Sequence, residues 1–378
     1  MKHTATPAGR PTARCIWNSF RASGKRHLIL TGTRGSGKST LLAGLLPYLR
    51  ETGPVSGITT RAQPGEAVFL TDAGSGRCAQ IGAFDPRLPG PENRMQPCLQ
   101  GFLALGVPLL QQYGKSDGTW VFIDEIGYLE TACPEYCRAI LDLMKRRRLA
   151  AAVRKQDLPF LQALCRRADA FVVDLDAPYG RAGCVIMASG LGRRFGGDKL
   201  MAAFAGRPLI QYALDATAGV FAGRVAVTRS KAVAELCERQ DVPVVFHDQP
   251  HRSDTVRLGL RALLAQAGEC GLTGCLFCPA DQPLLQRQTV AALALCAAQD
   301  PEAIWRPAYG AQQGAPVFFP AWAFPELLAL PQGRGGGAVV RKYPQRVRCL
   351  PVQEAQELAD VDTRAGLAAL EKAKKEDF

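Results

Sequence analysis

The run Gly32-Thr-Arg-Gly-Ser-Gly-Lys38-Ser39-Thr40 constrains this chain more than any other stretch. Its spacing is G-x-x-x-x-G-K-S. It follows a short apolar run, His27-Leu-Ile-Leu-Thr31, that reads as a buried strand, and an apolar helical pattern from Ser39 to Leu49 comes directly after. Strand, glycine-rich turn and helix in that order form a phosphate cradle. Gly32, Gly35 and Gly37 let the backbone curl so that successive N–H groups converge on phosphate oxygens. Lys38 reaches the outer phosphates and Ser39 offers a hydroxyl to Mg2+. Thr40 lies in the opening turn of a helix whose positive end adds to the site.

A cradle of this kind also needs an acid at the end of a neighbouring strand. Val121-Phe-Ile-Asp124-Glu125 supplies one, about 85 residues after Ser39. Asp124 takes the metal side, and Glu125 is placed to polarise an attacking water. Further strands are expected at Val55–Thr60, Trp120–Ile123, Ala150–Val153 and Ala170–Leu175, with a helix over Glu135–Arg148. Strands alternating with helices argue for a parallel α/β sheet.

A chain of 378 residues has room for a second domain at roughly 100–200 residues each. The stretch Asp176-Ala-Pro-Tyr-Gly-Arg-Ala-Gly183 is punctuated by Pro and Gly and marks the boundary. Strands follow at Cys184–Ala188, Val225–Thr228, Val242–Phe246 and Cys275–Cys278, with a helix over Pro208–Ala218. The expected division is therefore a basic leader at 1–26, a first domain at 27–175, a linker at 176–183, a second domain at 184–370 and a charged tail at 371–378. The leader is compatible with a transit peptide. A disordered basic extension, or a start codon read too early, is the plainer account, and the segment is left out of the expected fold.

The second domain opens on another glycine-rich turn, Met187-Ala188-Ser189-Gly190-Leu-Gly192-Arg-Arg194-Phe-Gly-Gly-Asp-Lys199. Small residues after a buried strand let phosphates rest on backbone N–H groups. Arg194 is placed to stabilise charge on the transferred and leaving phosphates, and Lys199 bridges the same group.

Two resemblances rest on these residues. The first turn, the Val55–Thr60 strand and Asp124-Glu-Ile-Gly-Tyr-Leu-Glu130 resemble the THEP1-type small nucleoside-triphosphatases, over residues 27–175. This chain has Gly57-Ile-Thr-Thr where that family has Gly-Phe-x-Thr. The second turn resembles the fingerprint L-A-A-G-x-S-x-R-[FM]-G-x-x-K of the molybdenum-cofactor nucleotidyltransferases. Gly190, Arg194, Phe195, Gly196 and Lys199 match, whereas Ser189 and Gly192 depart. Later landmarks keep the family's order: Gly206-Arg-Pro-Leu-Ile210, Ser253–Gly259, Pro279-Ala-Asp281-Gln-Pro283, Gly314–Phe319 and Asp360-Val-Asp362-Thr.

These resemblances imply two tandem three-layer α/β domains, a P-loop NTPase sheet followed by a Rossmann-like nucleotidyltransferase sheet. They imply that Asp281 and Asp362 hold Mg2+, that Ala188, Ser189, Gly190, Gly192 and Ser253 contact the nucleotide, and that Arg194, Lys199 and Asp281 carry transfer. The implied reaction moves CMP, or GMP as the second choice, from CTP or GTP to a molybdopterin-type acceptor, while ATP or GTP serves the P-loop. The implied partners are that small molecule and a molybdoenzyme or its maturation chaperone. Another phosphate or alcohol acceptor, or a non-catalytic assembly factor switched by nucleotide, are the alternatives.

Charge and cysteines complete the expectations. The net charge of +12 suits anionic ligands. The basic clusters Lys145–Arg148 and Arg166-Arg167 have no interleaved aromatics, so nucleic acid is not expected. No run approaches the ~20 apolar residues of a membrane span. Thirteen scattered cysteines read as reduced thiols, hence a cytoplasmic setting, and Cys275 with Cys278 and Cys133 with Cys137 read as inert packing. His247 and His251 read as polar surface.

Overall fold

A computed structural model describes residues 9–88, 94–190 and 192–376. The described chain divides into two compact units, with the break between Asp176 and Ala177; residues 9–11 group with the second unit.

In the first unit, β1 (His27–Gly32), β2 (Val55–Gln63), β3 (Ala67–Asp72), β4 (Cys78–Phe84), β5 (Met95–Pro97), β6 (Trp120–Ile126), β7 (Arg148–Arg154) and β8 (Ala170–Asp174) form one sheet. Its order is β5-β4-β3-β2-β6-β7-β1-β8. The strands from β2 to β8 in that order are parallel, and β3, β4 and β5 add an antiparallel flank. The sheet is therefore mixed, which corrects the expectation of a purely parallel one. Side chains alternate across each strand. Ile29, Val121, Ile123 and Val153 face Leu109, Tyr136, Ile140 and Leu161 from the helices on one side.

On the other face lie α1 (Ala13–Ser23) and α2 (Lys38–Glu51). Helix α1 corrects the disordered-leader expectation for its residues; positions 1–8 lie outside the described residues. Thr12 caps it, accepting a hydrogen bond from the Cys15 amide, and Gly24 ends it in the left-handed region. Ile16, Trp17 and Phe20 are buried. Phe20 meets Trp120 and Phe171 edge-on at 5.6 and 6.2 Å between ring centroids. The spacing of these apolar residues is helical, although they lie in a leader rich in basic residues.

In the second unit, β9 (Ala182–Ala188), β12 (Gly223–Thr228), β13 (Val244–Phe246) and β14 (Gly274–Pro279) are parallel. A short hairpin, β10 (Ala203–Phe204) with β11 (Arg207–Pro208), stands apart. β15 (Ile304–Tyr309), β16 (Gln312–Gln313), β17 (Val317–Pro320) and β18 (Val347–Pro351) complete the main sheet, whose order is β13-β12-β9-β14-β17-β15-β16, with β18 on β15. β17 runs antiparallel to both neighbours, so this sheet is mixed too. Helix Arg252–Ala267 lies tightly on β9 and β12, where a Cβ on Gly259 would stand 2.5 Å from Val185 Cγ1. Helix Arg287–Gln299 is buried along nearly its whole length. The described part of the charged tail is not separate: helix Arg364–Glu376 extends into it, and Glu371 accepts a hydrogen bond from the Ala205 amide.

None of the thirteen cysteines forms a disulfide, and Cys275 and Cys278 are fully buried in β14. Among the described residues no helix is long and apolar enough to cross a membrane.

Phe20→Ala should destabilise the first unit by about 3–5 kcal/mol, because it empties a closed aromatic cluster. Denaturant unfolding of the full chain checks this; an unchanged midpoint would mean that α1 contributes nothing to the fold.

Candidate active sites

The first site forms at the carboxyl edge of its sheet. β1 delivers Gly32, and β6 delivers Asp124 and Glu125. Gly37 sits at φ +91°, where a side chain would be strained, and it launches α2. Lys38 is 6% exposed, and its Nζ donates to the carbonyls of Gly32 and Thr33 at 3.0 Å each. Lys38 Nζ also lies 3.6 Å from Glu125 Oε1. Ser39 Oγ donates to Asp124 Oδ1 at 2.8 Å. Burial pushes the Asp124 carboxyl above its ordinary value, with the Glu125 charge adding to the effect and Ser39 and Lys38 opposing it. A hydroxyl and an under-compensated carboxylate oxygen in contact are a donor set that suits a hard cation such as Mg2+.

Sequence reasoning missed three supports of this site because no motif marks them. Asp176, assigned to the linker, belongs to the first unit and accepts hydrogen bonds from the Thr33 amide at 3.1 Å and its hydroxyl at 2.9 Å. Lys155 ties Asp176 to Asp174 at 3.2 and 2.7 Å. Arg154 Nε meets Glu125 Oε1 at 3.1 Å. Behind them Glu130, 4% exposed, accepts a hydrogen bond from the Gly127 amide at 2.7 Å. Burial pushes its carboxyl up to about 7, against that bond.

The second site is a cavity of about 720 Å3 beneath the glycine-rich turn after β9. Ser189, Gly190, Gly192, Arg194, Lys199, Asp281 and Asp362 all line it, so the structure brings these expected residues together. Lys199 is nearly buried, with Nζ 2.6 Å from Asp281 Oδ2 and 3.9 Å from Asp362 Oδ1. Arg194 meets Asp362 at 3.0 Å, an exposed pair that is free to rearrange. The Val361 amide donates to the Asp281 carbonyl at 2.9 Å, which joins the two acid-bearing loops.

Asp360 also lines the cavity and was missed as a site residue. Burial raises its carboxyl above the ordinary value, and the charges of Asp281 and Asp362 add to this. Among the described residues no group of three such side chains is arranged to hold a metal ion, so a divalent cation at these acids would need phosphate oxygens to complete its shell. The lining also holds Arg193, Arg229 and Arg252, so its cations outnumber its three acids. That balance favours an anionic substrate.

Two expected contacts are corrected. Ser253 is completely buried and does not line the cavity; Arg252 and Thr255 beside it do, because the helix turns Ser253 inward. Ala188 does not line the cavity although Met187 and Ser189 on either side do, and its carbonyl accepts the Thr228 hydroxyl at 3.1 Å. His247 is not surface either, being 8% exposed. Its Nε2 is 2.8 Å from Ser189 Oγ, which donates to the Val227 carbonyl at 2.9 Å. With that hydroxyl proton committed, His247 Nε2–H is the donor. Burial, then the Arg229 charge, lowers the His247 pKa and favours the neutral ring.

Residues 27–178 match the NTPase family, and residues 184–347 match the family of the MobA-like NTP transferase domain. The cancer-related nucleoside-triphosphatase homolog of Mus musculus is 32% identical over 133 residues, 32% of this chain and 69% of the mouse protein. A nucleotidyl transferase from Methanothermobacter thermautotroptrophicus is similar to 53% of this chain over 100% of its own, at 18% identity and TM-score 0.45. THEP1 from Aquifex aeolicus is similar to 39% of this chain over 89% of its own, at 21% identity and TM-score 0.34.

Glu130 generates a pH prediction. Its carboxyl titrates near 4.5 when unfolded and about 7 when folded, so the folded chain holds the extra proton between those values. Stability from this group is full below pH 4.5 and is lost as pH rises through 7. Glu130→Gln keeps an acceptor for the Gly127 amide and removes the titration. Relative to wild type, the variant should gain about 3 kcal/mol across that window in denaturant unfolding. A difference that stays constant with pH would show that Glu130 ionises normally.

Proposed function

Because the chain belongs to the nucleoside-triphosphatase family over residues 27–178 and carries a MobA-like NTP transferase domain over 184–347, we propose that it runs two reactions at two separate sites. The second unit transfers a nucleotidyl group, with CMP favoured over GMP, from the NTP to a molybdopterin-type acceptor. The first unit hydrolyses an NTP such as ATP or GTP. The observation that carries the transferase reading is Lys199, held between Asp281 and Asp362 beneath the glycine-rich turn.

The residues divide the work. Backbone around Ser189, Gly190 and Gly192 receives the triphosphate. Arg194 and Lys199 place positive charge against the phosphates as a new bond forms at the α-phosphorus and the bond to the β-phosphate oxygen breaks. Pyrophosphate leaves with that electron pair. A terminal phosphate on the acceptor is a sufficient nucleophile, since its second pKa is about 6. No side-chain base is then required, and His247 beside the turn is committed to Ser189. Asp281 and Asp362, with Asp360 close by, would hold Mg2+, which supplies charge neutralisation at the phosphates. In the first unit Lys38, Ser39 and Asp124 would hold the second nucleotide and its Mg2+, with Glu125 beside the attacking water.

Pyrophosphate release with Mg2+ and molybdenum-loaded molybdopterin, compared for CTP, GTP and ATP, tests the transfer. Acceptor-dependent pyrophosphate with CTP is expected. None with any NTP, from protein that still binds nucleotide, would sink the acceptor assignment. Lys38→Ala should abolish orthophosphate release and leave transfer intact, and Asp281→Ala should do the reverse. Arg194→Ala should slow transfer by about 100-fold. One substitution that silences both reactions would mean a single shared site.

A further inference from the structure

The hydrolytic site contains a cation that its motifs do not include. Arg154 ends β7, and the sheet register sets it beside Gly32, the first glycine of the cradle. On its other side β7 pairs with β6, the strand that carries Asp124 and Glu125. Arg154 Nε lies 3.1 Å from Glu125 Oε1, and Lys38 Nζ lies 3.6 Å from the same oxygen. Two cations thus share one carboxylate oxygen.

They differ in freedom. Lys38 belongs to the cradle and turns to the phosphates when a triphosphate arrives. Arg154 is confined. Its guanidinium lies 6.0 Å over the Tyr128 ring, and its stem fills the space above Gly127, where a Cβ would stand 2.9 Å from Arg154 Cδ. Gly127 is itself fixed by buried Glu130. Once Lys38 engages phosphate, Arg154 remains as the near partner of Glu125. A partly buried carboxylate follows its remaining cation, because leaving it unpaired is costly.

We propose that Arg154 is a positioning residue for NTP hydrolysis: it fixes Glu125 at the cradle's edge in the orientation that polarises the attacking water. This rests on the hydrolytic reading of the first unit. A planar guanidinium confined along its stem does this better than an ammonium on a flexible chain.

The test is steady-state orthophosphate release from ATP by the full chain with Mg2+. Arg154→Ala should lower kcat by about 100-fold and change KM by less than about threefold. Glu125→Gln should show a similar loss. The double variant should fall no more than about threefold below Glu125→Gln alone, since Arg154 acts through Glu125. Arg154→Lys should recover part of kcat. ATP affinity of Arg154→Ala, read by equilibrium dialysis, should match wild type and show that the cradle is folded. An unchanged or raised kcat, a loss confined to KM, or losses that multiply in the double variant would each overturn the proposal. Hydrolysis that survives Lys38→Ala would instead overturn the hydrolytic reading itself.

Discussion

Hydrogen-bonded register between parallel strands is the constraint on which both sites depend. In a parallel sheet neighbouring strands end at the same edge, so residues far apart in sequence are delivered side by side. In the first unit, β1, β7 and β6 bring Gly32, Arg154 and Asp124 to that edge, though these residues are spread over more than a hundred positions. In the second, β12, β9 and β14 end at Thr228, Ala188 and Pro279, just before Arg229, Ser189 and Asp281. A one-residue slip in any of these pairs would turn the functional side chains to the wrong face. The antiparallel strands lie outward from these parallel segments in each sheet, and they extend the sheet without moving its active edge.

The second common feature is charge left only partly compensated. Asp124 and Asp360 are both raised by burial and by neighbouring acids. Lys38 and Lys199 are nearly buried; Lys38 donates to two backbone carbonyls, and Lys199 pairs closely with Asp281 while Asp362 stands farther off. A protein selected for stability alone would replace such groups with apolar ones. Their presence at both sheet edges argues that a charged ligand completes them. Arg194 and Asp362 show the opposite arrangement, since their exposed pair opens at little cost.

Much of this was legible in the sequence, and the reasons differ by element. Both glycine-rich turns were legible because phosphate binding demands backbone conformations that few residues provide. Lys199, Asp281 and Asp362 were found through ordered landmarks, and the structure brings them to one cavity. Strands β3, β4 and β5 were missed because short strands separated by turn residues carry no helical crossover to frame them. Helix α1 was missed because it lies in a leader set aside for its basic residues and lack of acids, although Ile16, Trp17 and Phe20 mark its buried face. Arg154, Asp360 and Arg229 carry no local signal. Their roles come from register and loop contact, which only three dimensions reveal. Ser253 was placed by analogy with a serine-rich turn, and one helical step put its neighbours in the cavity instead.

The two departures from the transferase fingerprint are compensated locally, which argues that the turn keeps its function. Gly192 stands where the fingerprint has Ser. Its φ is +54°, and a Cβ there would come within 2.6 Å of the Gly197 carbonyl oxygen. A serine would be strained in this conformation and would collide with backbone, so glycine is what this version of the loop requires. Ser189 stands where the fingerprint has a smaller residue. Its hydroxyl would be an orphan in a buried turn, but Val227 accepts its proton and His247 donates to its oxygen. Added polarity has thus been met by an added partner, and the backbone that faces the cavity is braced from behind.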